Sequence, residues 1–405
     1  MLLSRVWLTR ADDDDANDND DSPNAPKVIP PQSVFLSPDS FAVLGPNGSF
    51  RNSSSALFNP TKTAVPFFQI FNQEFLEILG DNPSFHRVAQ NTTFAFAHEA
   101  PIYVPETDEV FFGSNDGGAL GQSDLNRNNK VGKISMAAVE TALQSLNGQL
   151  GPVNVPVTEL DLPDTIQMTN GGTGPLNSNL VLITSGRGTR PPSVALVNPH
   201  PPFNATVLLD NFFGRQFNSL NDAKIHPKSG AIFFTDNSYG FVNRFRGPLF
   251  IPPQVYRLDP VTRAVRVVAT DFNKCNGVAF DPEGKIAYVT DTGAAGSTLD
   301  QTLPATIYAY DVDEETQTFM NRRVFAYADT GIPDGVQVDA DGNVYAGCGD
   351  GVQVWSKKGV LLGKFFIGTV SANMAFAGDG RLVILAETAI YVAKIAAKEG
   401  KVKFP

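Results

Sequence analysis

From about residue 95 onward the chain alternates short apolar runs with turns built of Asp, Gly and Pro. Six segments share one form, a turn followed by an alternating or wholly apolar strand that ends in small and polar residues. They read PETDEVFFGSND from Pro105, LNSNLVLITSGRG from Leu176, HPKSGAIFFTD from His226, DPEGKIAYVTD from Asp281, DADGNVYAGCGD from Asp339 and AGDGRLVILAE from Ala377. Their starts lie about 40 to 70 residues apart, which brackets one four-stranded propeller blade with variable loops. Further strand candidates lie between them, such as SVALVNP, QVYRLDP, TIYAYDV and RRVFAYA. A lone four-stranded sheet leaves both faces uncovered, whereas six stacked in a ring bury every face and shield most edges. The pattern predicts an all-β, six-bladed β-propeller; an irregular β-sandwich is the alternative.

Two stretches break the strand pattern. Phe71, Phe75, Ile78 and Leu79 fall at i, i+4, i+7 and i+8, predicting a short helix across one face of the body. KISMAAVETALQSL, from Lys133, reads as a helix decorating an inter-strand loop. Residues 11 to about 33 are rich in Asp, Asn and Pro and nearly lack aromatic and β-branched side chains, too little to offset the entropy of ordering. The predicted organisation is a disordered acidic tail, 1–33, and a propeller domain, 34–405.

Composition agrees with a globular body: of 405 residues, 42% are hydrophobic and 18% charged. The net charge of −11 is concentrated in the tail, since without the seven Asp of 12–21 there remain 35 acidic against 31 basic residues, or −4. No Lys/Arg cluster marks a phosphate-tracking face, which excludes a nucleic-acid partner. No window approaches the ~20 apolar residues of a spanning helix, so no membrane partner is expected. Two cysteines, Cys275 and Cys348, rule out a disulfide-dense scaffold and a Cys-based zinc site; they are two buried thiols or one bridge. Sequons at Asn47, Asn52, Asn91 and Asn204 point to a secreted glycoprotein. MLLSRVWLTR is too short and interrupted for a signal-peptide core, so the chain is either cytoplasmic or begins upstream of this reading frame.

In a propeller the inner strands begin at the central channel, so polar residues just before them converge from different blades. Glu99, Asn221, Asn276 and Asp334 stand there, and the last three each sit five residues before a copy of the repeating turn. Two carboxylates and two amide oxygens make a hard, all-oxygen set suited to Ca²⁺. Four histidines without HExxH or His-x-His spacing give little support to zinc or non-haem iron.

Several motifs carry a resemblance: HEA at His98–Ala100, FGRQFNSLND at Phe213–Asp222, IFFTDNSYG at Ile232–Gly240, CNGVAFDPEG at Cys275–Gly284, YVTDTG at Tyr288–Gly293 and the run Ile332–Trp355. From about residue 34 to the end the chain resembles the gluconolactonase and regucalcin-like (SMP-30) superfamily, nearest to the fungal lactonohydrolases. The resemblance implies a six-bladed hydrolase with one divalent cation, usually calcium, in the channel. It implies Glu99, Asn276 and Asp334 as ligands, and Asn221 as ligand or substrate contact. Two departures stand out: Ala100 replaces the family's usual glycine, and Ser219 stands where some members carry a sugar-acid-binding arginine.

The expected activity is calcium-dependent hydrolysis of a small-molecule lactone, of aldonate or pantoyl type, by metal-polarised water. Asp334 is the favoured general base and His98 the other, although strand alternation would turn His98 away from a channel-facing Glu99 unless the chain bends. Asn221, Asp236, Tyr239 and Arg187 are candidate substrate contacts, and Asp291 lies behind the site. A phosphotriester hydrolase and a non-catalytic calcium-binding propeller are the alternatives. No Gly-x-Ser-x-Gly elbow supports a serine esterase.

Overall fold

The computed structural model describes residues 28–296 and 298–400, so most of the predicted acidic tail lies outside the described residues. Six antiparallel sheets form the six blades: blade 1 (residues 99–159), blade 2 (169–209), blade 3 (220–269), blade 4 (275–327), blade 5 (336–366) and blade 6 (373–394). Each of the six repeated segments supplies the first hairpin turn and second strand of one blade. Blade 6 takes its outer strand from before blade 1: Ser84–Gln90 pairs antiparallel with Ala389–Lys394, which ties the two ends of the ring together. Phe67–Ile70 and Ser33–Phe35 extend blade 5 outward.

Six hydrophobic clusters fill the six junctions between neighbouring blades. Successive side chains of a strand point to opposite faces, so in Ile232–Asp236 Ile232 and Phe234 pack toward blade 2 while Phe233 packs toward blade 4. Both faces are buried, which is why these strands read as continuous apolar runs rather than alternating ones.

The loop helix runs Met136–Gln144 and begins later than predicted, because Val131–Ser135 is the third strand of blade 1. Ser135 caps it, its Oγ accepting from Ala138 N at 3.2 Å. The N-terminal helix is shorter than predicted, Phe75–Leu79, with Phe75, Ile78 and Leu79 buried against blades 5 and 6. Phe71 lies in the turn before it, where Asn72 Oδ1 accepts from Glu74 N at 2.9 Å. Cys275 and Cys348 are both free and buried, in blades 4 and 5, so the bridge does not form.

Candidate active site

Four inner strands carry the same irregularity near their start. The register slips between Glu99 and Ile102, Thr169 and Gly172, Leu220 and Ala223, and Cys275 and Val278, one extra residue each time. A bulge re-aims side chains and frees a backbone amide from the ladder. Thr235 Oγ1 takes the freed Asp222 N (3.0 Å) and donates to Asn276 O of the next blade (2.8 Å). Thr290 Oγ1 repeats this, accepting from Gly277 N (2.7 Å) and donating to Asp334 O (2.7 Å). Glycine completes the close approach: a Cβ on Gly277 would meet Asp334 O at 2.6 Å, and one on Gly335 would strike the Asn373 amide.

The first blade is built differently, with Ala100 at the bulge position that Asn221 and Asn276 hold in blades 3 and 4. Ala100 keeps φ at +53°, a left-handed conformation that costs an alanine roughly 1 kcal/mol. His98 and Glu99 nevertheless reach the same spot, against the expectation from strand alternation. His98, Glu99 and Asp334 place one ligand-type atom each within 4.8 Å of one another. His98 Nδ1 lies 2.6 Å from Glu387 Oε1, whose other oxygen accepts from Asn115 Nδ2 at 2.9 Å.

The channel end is strongly acidic. Burial, with the Asp334 charge beside it, pushes the Glu99 carboxyl well above the usual range. Burial likewise raises Asp334 and Asp222 to about 7, and raises Asp116. For His98 burial pulls downward, but the Glu387 carboxylate, helped by Glu99 and Asp334, outweighs it and holds the imidazole at about 10.

The oxygens fit a cation. Asn221 Oδ1, Asn276 Oδ1 and Asp334 Oδ1 are buried without a protein hydrogen-bond partner. A buried acceptor left in this way costs about 1–3 kcal/mol, and three near the starts of the inner strands of blades 3, 4 and 5 make a candidate site for something that supplies positive charge. These three are hard oxygens; His98 brings an imidazole nitrogen beside Glu99 and Asp334, and among the described residues no thiol joins that cluster.

The other predicted contacts divide. Tyr239 stands in the blade 3 loop, its Oη 2.7 Å from Thr292 Oγ1 of blade 4. From there the loop of blade 3 crosses to blade 1, where the Asn243 amide packs on Gly117. Asp236 is fully buried and accepts from Asn218 N (3.1 Å) and Ser219 N (2.7 Å). It anchors the loop before the inner strand rather than facing the channel, a correction to its reading as a substrate contact. Asp291, its counterpart in blade 4, does the same for Asn273 N and Lys274 N at 3.0 and 2.9 Å. Arg187 donates to Gln167 Oε1 and Leu125 O, both at 2.8 Å, and braces the blade 1 and 2 loops.

Sequence reasoning missed Asn170, Asn373, Asp116 and Glu387. Asn373 donates to Glu99 Oε2 at 2.7 Å and Asn170 to Asp116 Oδ2 at 2.9 Å. The Asn/Asp-Gly pair shared by Asn170-Gly171, Asn276-Gly277 and Asp334-Gly335 was the available signal for Asn170.

Long loops wall the mouth over blades 1 to 4 (114–130, 185–192, 237–253, 292–305), whereas blades 5 and 6 have only the turns 349–350 and 387–388. On that low side the N-terminal segment leans on blade 5, with Arg51 paired to Asp329 and Gly331 N donating to Ser54 O at 2.7 Å.

Residues 99–388 match the model of the SMP-30/Gluconolactonase/LRE-like region. The chain is 30% identical over 337 residues to the lactonohydrolase oryL of Aspergillus oryzae, covering 78% of this chain and 70% of that one. Among solved structures, a gluconolactonase from Xanthomonas campestris superposes with a TM-score of 0.61 at 22% identity, covering 81% of this chain and 94% of its own. A calcium-binding protein, regucalcin, from Agrobacterium tumefaciens gives a TM-score of 0.54 at 16% identity, covering 78% and 96%.

Proposed function

The chain belongs to the SMP-30/Gluconolactonase/LRE-like family and is an enzyme of the lactonase type; from that premise we propose that it opens aldonate or pantoyl-type lactones with water, using calcium. The observation that carries this reading is the set of buried channel oxygens with no protein partner. Glu99, Asn221, Asn276 and Asp334 would hold the ion. Bound there, a divalent cation supplies Lewis-acid polarisation of a carbonyl at neutral pH.

Lactone hydrolysis passes through a tetrahedral oxyanion, so the chain must accept a proton from water and stabilise developing negative charge. His98, whose Nδ1 is fixed by Glu387, would act as a donor toward that charge through its other ring nitrogen. Asp334 would take the proton from water through the carboxylate oxygen not engaged with the cation. Tyr239 and Asn221 face the substrate at the mouth, and the arching blade 3 loop limits its size.

The test is acid release from a lactone panel before and after exhaustive chelation. Activity lost on chelation and restored by Ca²⁺ is the expected result; undiminished activity in the stripped protein overturns the mechanism. We also propose export, supported by the solvent exposure of Asn47, Asn52, Asn91 and Asn204. Glycosidase treatment of the protein from its native source is expected to increase its mobility on a gel, and an unmodified intracellular protein contradicts it.

A further inference from the structure

We propose that Asn170 is a fifth oxygen donor to the channel's cation, oriented for that task by Asp116; the inference rests on the reading that the channel holds a divalent ion.

Asn170 occupies the same place in its bulge as Asn221 and Asn276 in theirs, one residue past the last regular pair (Thr169, Leu220 and Cys275). It is 3% exposed, and its Oδ1 is buried without a protein partner, as theirs are. The orientation of its amide is not free. Nδ2 donates to Asp116 Oδ2 at 2.9 Å, and a carboxylate can only accept, so the oxygen is turned to the other side. Beside Asp116 stands Ser185, whose single hydroxyl proton has Leu220 O at 2.9 Å and the same Asp116 oxygen at 3.3 Å within reach. Gly171 then lets this strand close on blade 3, since a Cβ there would meet Asn221 O at 2.5 Å.

Asn373 shows what a satisfied amide in this ring looks like. Its Nδ2 donates to Glu99 Oε2 at 2.7 Å and its Oδ1 accepts from Met374 N at 2.8 Å, so both ends have partners. Asn170 has only one. Blades 1 to 5 therefore each direct one oxygen-bearing side chain inward: Glu99, Asn170, Asn221, Asn276 and Asp334. Five protein oxygens suit the 6–8 coordination of a large, geometrically tolerant cation and leave room for water and substrate; they suit poorly the small octahedral Mg²⁺, which keeps several waters. The site's predicted preference is Ca²⁺ over Mg²⁺, with Asn170 contributing to the margin.

The experiment loads the full chain with Tb³⁺ and counts inner-sphere waters from luminescence lifetimes in H₂O and D₂O, beside Ca²⁺ and Mg²⁺ titrations of wild type and Asn170→Ala. The expected variant gains about one bound water, loses about tenfold or more in Ca²⁺ affinity and narrows its Ca²⁺/Mg²⁺ ratio. Unchanged hydration with affinity within about twofold of wild type overturns the assignment while leaving the cation site standing. A wild type that takes up no ion overturns both. Should the variant fail to fold, a Ca²⁺-loaded wild-type crystal decides: Oδ1 at about 2.3–2.6 Å from the ion is expected, and a distance well outside the coordination shell overturns the inference.

Discussion

Two buried polar clusters sit at the same end of the propeller and share a chemistry of carboxylates and amides, yet they are built to opposite ends. In blade 5 Lys364 is fully buried between Asp350, at 2.7 Å, and Asp329, which also pairs with Arg51. Gln353 donates to Asp350 Oδ1 at 3.0 Å and accepts from Asp329 N at 3.1 Å. That cluster satisfies itself. The channel cluster has comparable burial and more carboxyl groups but leaves Asn170, Asn221, Asn276 and Asp334 each with an oxygen lacking a protein partner. Burial of charge is thus not by itself a mark of function; what sets the channel apart is that four open oxygens stand near the starts of consecutive inner strands, whereas blade 5 leaves the single Gln69 Oε1 open beside Lys364.

Removing one acid from each cluster separates them most sharply. Asp334→Asn is expected to lower kcat/KM on a lactone by about 10³-fold, roughly 4 kcal/mol, while leaving the chelated protein at pH 8 no less stable than wild type. Steady-state kinetics beside denaturant unfolding checks both halves; a parallel loss of stability would make the channel a second structural cluster.

Lys364→Met is the converse. It strands Asp350 without its cation and is expected to cost about 3–5 kcal/mol of stability, with kcat/KM of the folded protein within about twofold of wild type. Unfolding unchanged in urea would show that the pair is not a keystone of blade 5.

Much of this contrast could be read from the chain before any fold was known, and some could not. The repeated turns gave the six blades because each is a hairpin whose Gly, Asp and Pro are demanded locally. Asn221 and Asn276 were legible because one bulge at the same place fixes a five-residue distance to the next turn, and Asp334, whose strand has no bulge, keeps the same distance. In blade 2 a second slip between Thr173 and Leu176 adds a residue, so the same spacing points at Gly171 and hides Asn170. In blade 6 Asn373 stands four residues before the turn, so the five-residue spacing points at Ala372 instead. Asp236 was misread because a carboxylate at a strand end can face a channel or gather loop amides, and only the path of residues 217–219 decides between them.

Acidity sharpens the comparison further. Asp222 and Asp334 are raised by burial to about 7, so in the ion-free protein they hold protons that the unfolded chain releases above about pH 4. Their contribution is present at low pH and lost as pH rises through 7. For Asp329 burial raises and Lys364 and Arg51 more than compensate, so its contribution is present above pH 4 and lost in acid. Chelated protein is expected to lose on the order of 3 kcal/mol between pH 5 and pH 8, and Ca²⁺ to abolish that loss; melting curves that are flat with pH in chelator contradict it.

The smallest effect concerns the left-handed alanine that follows Glu99. Ala100→Gly relieves the left-handed alanine and is expected to stabilise by about 0.5 kcal/mol, measurable by urea unfolding, whereas a loss would show that the methyl's packing against blade 2 outweighs the strain.

The most direct test is calorimetric titration of chelator-stripped protein with Ca²⁺ at pH 7 in buffers of different ionisation enthalpy. One ion per chain is expected, with protons released as the raised channel carboxyls give them up, and with both signals abolished in Asp334→Asn. No binding heat, or binding that Asp334→Asn leaves untouched, would contradict a cation held by the channel oxygens.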